Sequence, residues 1–313
     1  MKLDAKYGVC GAQNLEVLKN GKVVRETGFH HNLVLDAHFT RLSGGLNASA
    51  ALQGCKVGTG TTAPTVTQTD LVNSIGFKAG ADSAVDTYLG VVDNNHVYKY
   101  QRIWTFAEGA VIGNVSEVAT SAGSASAATP ISTRALVLDP SEQPTSITVN
   151  ADEQLRITHD MFLYIPAGRS SALFSVTTGG NTTQHLAEWE YANKTIHNLS
   201  KFLFGNLFVA GSSSFHLRLT TSTLDFSPTQ DSPTTTGNTT SNTGIASTQL
   251  SPLVFESTGL FSSTQGNAVG GVGGAMNSSA NASTIFAFKF TPPIPKTTLS
   301  KLTTKLVTTF VRM

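Results

Sequence analysis

Apolar and polar residues alternate along much of this chain, most regularly between Tyr98 and Pro166. Tyr98, Tyr100, Arg102, Trp104 and Phe106 fall on one parity, and Leu155, Ile157 and His159 repeat the pattern further on. A period of two sets one row of side chains against a core and the other toward solvent, as half-buried antiparallel strands do. Gly109, Gly113, Gly123, Pro130, Pro140 and Pro144 interrupt the runs where the chain must reverse. The stretch therefore predicts a meander of about five strands, near the usual sheet size, on which the rest of the chain packs.

Ahead of that block, QNLEVLKNGKVVRE predicts a hairpin, because Asn20-Gly21 is the favoured pair for a type I′ turn that needs positive φ at both central residues. In FHHNLVLDAHFTRLSGG, Leu33, Ala37 and Leu42 fall near helical spacing, Asn32 is a candidate cap, and Gly44-Gly45 gives a stop. One short helix is expected there. Residues 54–71 combine a short strand at Cys55–Val57 with a Gly/Thr loop containing Gly58 and Gly60, and a turn of helix opening at Thr69. A phosphate-binding loop would need Gly-Lys-Ser/Thr, whereas Gly60 is followed by Thr61-Thr62. A structural turn is the better reading.

Past Pro166 the texture changes. Several short strands are followed by the most apolar window, NLSKFLFGNLFV at 198–209, which reads as a fully buried element. Residues 221–248 are Ser/Thr/Asn/Pro-rich and 266–283 Gly-rich, too poor in apolar surface to offset their own ordering entropy. Between them LVFESTGLF can pair as a strand. Near the end, Pro292, Pro293 and Pro295 make a stiff extended corner before a long Thr-rich strand over Leu299–Val311, expected to return to the main sheet. The fold class is thus mainly β: an antiparallel β-sandwich or jelly roll with a short N-terminal helix and long Ser/Thr/Gly-rich loops. It reads as a single β-rich domain over 1–313, with the hairpin and helix inside 1–50 and the tracts 221–248 and 266–283 as loops or arms.

Only 13% of the 313 residues are charged, about half the usual share for a soluble domain. Thr, Ser, Asn and Gly replace the missing charge, giving a neutral, hydrogen-bonding surface suited to meeting other protein. Net charge is +1 without a Lys/Arg run, so no nucleic-acid partner is expected. The opening MKLDAKYGVCGAQ has no apolar h-region, and no run approaches the ~20 apolar residues of a membrane span, so neither a secretory signal nor membrane insertion is expected. Cys10 and Cys55 are too few for a disulfide scaffold, with one bridge between them left open.

Candidate chemistry is sparse. The eight histidines show no His-x-x-x-His spacing, and no Cys-x-x-Cys occurs. His31 and His38 could share a helix face but stand too far apart for one metal. Neither a metal nor a cofactor is expected. Asp139/Glu142 and Asp152/Glu153 are close carboxylate pairs of the kind a glycosidase holds across its bond, yet both flank turns, where acids commonly cap a reversal. Trp189 and Tyr191 share a face if HLAEWEYANK is a strand. They are either an interface pair or a platform for a sugar ring, the interface being the commoner use of such aromatics. Glu117 and Arg134, on adjacent expected strands, can pair across the sheet for about 0.2–1 kcal/mol.

Several segments together resemble a known group. They are Phe29-x-x-Asn32-Leu33-Val34-Leu35-Asp36-Ala37; Val57-Gly58-Thr59-Gly60-Thr61-Thr62-Ala63-Pro64 with Asp70-Leu71; Trp104-x-Phe106, Val115-Ser116-Glu117-Val118 and Thr133-Arg134-Ala135; Ile147-Thr148-Val149 before Asp152-Glu153-x-Leu155; and the terminal Pro292-Pro293-Ile294-Pro295-Lys296. This combination resembles tail and neck structural proteins of tailed bacteriophages, over roughly the first half and the last thirty residues. The resemblance does not extend to 168–285. It implies a non-enzymatic virion part in the tail, neck or a fibre-like appendage, a symmetric homo-oligomer whose partners are itself and other virion proteins. It brings no catalytic residues. The alternatives are a receptor-binding tail protein recognising a host surface glycan through Trp189 and Tyr191, or a capsid decoration protein.

Overall fold

The computed structural model describes residues 2–43, 51–122, 129–178, 180–191, 216–220, 224–225, 234–235, 239–241, 244–261, 272–278, 284–294 and 302–313. The protein is mainly β with large antiparallel sheets, sandwich-like as the alternation predicts. Its contacts divide the chain into two compact units. One comprises Gly8–Leu89, Val97–Tyr164 and Phe310–Met313, the other Met1–Tyr7, Gly90–His96 and Ile165–Thr309.

The first unit draws on strands β1 (Lys2–Lys19), β2 (Lys22–Glu26), β3 (His30–Val34), β4 (Gly54–Gly58), β5 (Ser74–Lys78), β6 (Ser83–Val92), β7 (Asn95–Phe106), β8 (Gly113–Val115), β9 (Glu117–Ser121), β10 (Ile131–Leu136), β11 (Ile147–Val149) and β12 (Gln154–Pro166), with helix α1 (Asp36–Ser43) after β3. β1 pairs with β12 from Gly8 opposite Tyr164 to Leu18 opposite Gln154, and β7 lies on the other side of β12. A second run is β3–β10–β9–β4–β5. Leu15 and Val17 of β1, Trp104 and Phe106 of β7, and Leu155 and Ile157 of β12 form one core with Cys55, Val57, Val115, Val118, Ile147 and Val149. Each fully buried side chain of this size contributes about 1.5–3 kcal/mol.

Between Tyr98 and Pro166 the strands do not form the expected meander. Pairing is nested: β9 with β10, β8 with β11, and β7 with β12. The alternation fixes which residues face the core, but it carries no information on which strand pairs with which.

The polar parity is not all solvated either. Every residue of β4, β9 and β10 is buried. One face meets the core, and the other carries Lys56, Glu117, Ser132 and Arg134, each fully buried.

In the β1–β2 turn Asn20 and Gly21 have φ of 52° and 75°. The helix is shorter and later than its spacing predicts. His30–Val34, including Asn32 and His31, is strand β3, so Asn32 is no cap and His31 shares no helix face with His38. The Asn32 side chain instead lies over Gly11, where any Cβ would collide with it. No helical turn opens at Thr69; that segment is loop. The C-terminal residues return to this unit. Met313 N–H donates to Val9 O at 3.0 Å, and Arg312 bonds Val34 O at 2.6 Å and pairs with Asp36.

In the second unit, β13 (Arg169–Thr178) and β14 (Asn181–Tyr191) form a hairpin. Later strands are β15 (His216–Thr220), β16 (Leu224–Asp225), β17 (Thr234–Thr235), β18 (Thr239–Ser241), β19 (Gly244–Ser251), β20 (Val254–Phe261), β21 (Val272–Ser278), β22 (Thr284–Ile294) and β23 (Leu302–Arg312). One sheet runs β13–β14–β22–β21–β15–β18, and β20 pairs with both β19 and β23. Thus Val272–Ser278, inside a tract expected to be a loop, is a strand flanked on both sides, and the end of 221–248 lies in β19. Neighbouring strands supply the backbone partners that a Gly- or Ser-rich segment cannot supply alone. β16, β17 and β18 also fall within 221–248; the remaining residues of both tracts, the 198–209 window, Gly44-Gly45 and Pro295 lie outside the described residues.

Candidate functional site

In the first unit β9 and β10 are antiparallel, with Arg134 opposite Ala119 and Leu136 opposite Glu117. Glu117 and Arg134 therefore sit diagonally on one face, within reach of long side chains. Both are fully buried. Arg134 Nε and Nη2 donate to Glu117 Oε2 at 2.9 and 2.8 Å, and the guanidinium also reaches Gln68 Oε1 and Thr62 O, each at 2.8 Å. Glu117 takes three main-chain N–H groups as well. Gly60 and Asn73 donate to Oε1, both at 2.9 Å, and Val72 to Oε2 at 3.2 Å.

This pair is the clasp of the 59–73 loop. Gly58 and Gly60 are glycine for the same reason, since a Cβ on either would stand 2.6 or 2.5 Å from Glu117 Oε1. Lys56 adds a third tie, its buried Nζ 2.8 Å from Asp70 Oδ1. Burial pushes the Glu117 carboxyl up, but the N–H groups of Asn73, Val72 and Gly60 and the Arg134 guanidinium outweigh it and hold it below the usual carboxylate range. The Gly/Thr loop does cradle an anion with its amides. That anion is Glu117 itself.

Beside the clasp opens a cleft of about 560 Å³. Three segments wall it: Thr59 and Thr61 from the loop, Asn114 and Ser116 from the β8–β9 region, and Leu136 at the end of β10 with Pro144, Thr145 and Ser146 from the turn that follows. The walls are tied to one another. Ser116 N–H donates to Gly58 O, Val137 N–H to Ser116 O and Thr145 N–H to Val137 O, each at 2.9 Å. Ser116 Oγ donates to Gly60 O at 3.0 Å. No single stretch of sequence marks this cleft, because its six hydroxyl or amide residues come from distant segments. The Gly58-Thr59-Gly60 spacing was the one local signal.

A second polar cluster joins the half-buried Asn32 to the fully buried His38 and His159. Asn32 Nδ2 lies 2.9 Å from His159 Nδ1. Asn32 Oδ1, His159 Nε2 and both ring nitrogens of His38 are buried without a hydrogen-bond partner among the described residues. Burial lowers both imidazoles from 6.5 to about 3, helped by Arg41, His159 and Arg312 at His38 and by Arg102 at His159. Both are neutral.

The remaining candidates separate. Asp139 accepts the N–H groups of Ser141 and Gln143 at 2.8 and 2.9 Å, and Glu142 has φ 59°. Asp152 pairs with Lys19 at 2.6 Å, and Glu153 pairs with Arg25. These acids stabilise reversals. Among the described residues no three His, Cys, Asp or Glu gather in a metal-binding group, and Cys10 and Cys55 are free thiols. Trp189 and Tyr191 occupy alternate positions of β14, opposite Phe288 and Phe286 of β22. The Thr291–Pro292 bond is cis, and Pro292 and Pro293 are exposed within β22. No helix among the described residues is long and apolar enough to cross a membrane. Compared with protein-family models, curated proteins and solved structures, the chain matches none.

Proposed function

We propose that this chain is a non-enzymatic structural protein of a tailed-phage virion, assembling as a symmetric homo-oligomer in the tail, neck or an appendage. One observation carries the reading. The polar residues at the heart of the resembling segments, Glu117 and Arg134, are fully buried and bound to one another and to the loop that Gly58 and Gly60 belong to. They build a scaffold rather than face a substrate. The 13% charge content supports association through neutral faces, and the nested pairing of β7 to β12 supports a jelly-roll-like element. The working partners are further copies of the chain and other virion proteins, and the setting is the particle.

Two measurements test this together: quantitative mass spectrometry of purified particles, and sedimentation of the isolated protein. A fixed copy number per particle with a closed oligomer in solution is the expected result. A monomer at high concentration that is also absent from particles would refute it. The alternation of Trp189 and Tyr191 on β14 keeps a glycan-binding reading open as the second one. Saturable glycan binding that Trp189→Ala abolishes is its expected sign.

A further inference from the structure

We propose that the cleft between the 59–61 loop, the β8–β9 region and the 144–146 turn is a binding site for a neutral saccharide. The lining selects the ligand class. Thr61, Thr145 and Ser146 present hydroxyls and Asn114 an amide, the Thr59 and Ser116 hydroxyls being already bonded to Asn73 Nδ2 and Gly60 O; Leu136 and Pro144 supply apolar surface, and no charged residue is among them. A ligand with a fixed charge would find no counter-charge, whereas sugar hydroxyls, each donor and acceptor, match protein hydroxyls of the same kind. The volume of about 560 Å³ lies within the range of small-molecule sites.

The distribution of existing hydrogen bonds separates a sugar from an extended peptide. A peptide adding as a strand needs unpaired main-chain groups along the cleft. Here Thr59 N–H donates to Asn73 O, and Ser116, Val137 and Thr145 N–H groups are likewise engaged across the walls. Asn114 is already paired in register with Thr148. What remains uncommitted is side chain. Thr148 Oγ1 donates to Asn114 Oδ1 at 2.7 Å, which leaves the Asn114 Nδ2 group as donor into the cleft. The Thr61, Thr145 and Ser146 hydroxyls form no side-chain hydrogen bond among the described residues. The walls are meanwhile held rigid by the Glu117–Arg134 clasp behind Gly60. A stiff frame with free side-chain hydroxyls is preorganised for a compact polyol, so little ordering cost attends binding.

This site is independent of the assembly reading, and of Trp189 and Tyr191, which belong to the other unit. The test uses the full chain and saturation-transfer NMR with glucose, galactose, mannose and N-acetylglucosamine and their disaccharides, beside a Ser/Thr-rich peptide. At least one neutral sugar is expected to bind saturably and without salt dependence. Thr145→Ala with Ser146→Ala, which breaks no hydrogen bond among the described residues, should weaken it by about tenfold or more while the melting temperature holds, given the two sugar hydrogen bonds removed. Filling the cleft with Thr61→Phe should abolish it, and Trp189→Ala should leave it unchanged. Three results would each overturn the proposal: no neutral sugar binds, binding survives both cleft variants, or the peptide alone occupies the cleft.

Discussion

Replacing Glu117 by Gln is the sharpest test of the clasp. The side chains are nearly the same size, so packing is preserved and charge is removed. Glu117 accepts five hydrogen bonds, from Gly60, Val72, Asn73 and twice from Arg134. A glutamine has one acceptor oxygen and presents an NH2 group to donors on its other side. At least two bonds are lost, and Arg134, fully buried, keeps its charge without a counter-ion. Breaking a buried pair from one side costs about 3–5 kcal/mol, several times the 0.2–1 kcal/mol of an ordinary cross-strand pair. Denaturant unfolding followed through Trp104, buried in the same unit, reads this loss in a Trp189→Phe background. Hydrogen exchange of the Gly60, Val72 and Asn73 amides localises it, since an oxygen kept on the Gly60 and Asn73 side frees Val72, and one kept on the Val72 side frees Gly60 and Asn73. A loss below about 1 kcal/mol with unchanged protection at those amides would show that the clasp reasoning is wrong.

Three further outcomes follow from the same geometry. His38 and His159 sit at about 3 in the folded protein against 6.5 when exposed, so only the unfolded chain takes up protons as pH falls. Stability is complete above about 6.5 and declines toward 3, by about 2 kcal/mol per imidazole at pH 5 and about 4 for the two. Unfolding midpoints at pH 7, 6 and 5 check it, and a flat profile, or imidazole NMR signals titrating near 6.5, would refute it. Gly60→Ala places a methyl 2.5 Å from both Glu117 Oε1 and Val72 Cβ. It should cost about 1–3 kcal/mol by overpacking, and an unchanged melting temperature would count against the close approach. Arg312→Ala removes the bonds to Val34 O and Asp36 and the stacking over Phe39 at 5.3 Å. It should loosen α1, read as faster exchange of the α1 amides, and unchanged exchange there would argue that the C-terminal residues are not a tether.

Much of the local structure was legible in the sequence. A two-residue period is a property of the extended backbone itself, so β7 and β12 and the burial of Trp104, Phe106, Leu155 and Ile157 follow from the chain alone. Asn20-Gly21 fixes its turn because few other residues tolerate positive φ there. The Glu117–Arg134 pairing was readable from adjacent strands, though its magnitude was not.

What the tertiary structure decided is everything that depends on a partner distant in sequence. Nested pairing, rather than a meander, is set by which strands meet, and alternation says nothing about that. His30–Val34 has near-helical spacing yet becomes β3, because β1 and β10 offer it ladder partners on both sides. The polar face of β4, β9 and β10 is buried since the 59–73 loop closes over it, and Glu117 with Arg134 makes that burial tolerable by satisfying loop and sheet together. The cleft arises where three segments more than fifty residues apart in total span converge. Side-chain direction is local and so written in the sequence, whereas strand partners and loop closure are long-range and emerge only when the chain is folded.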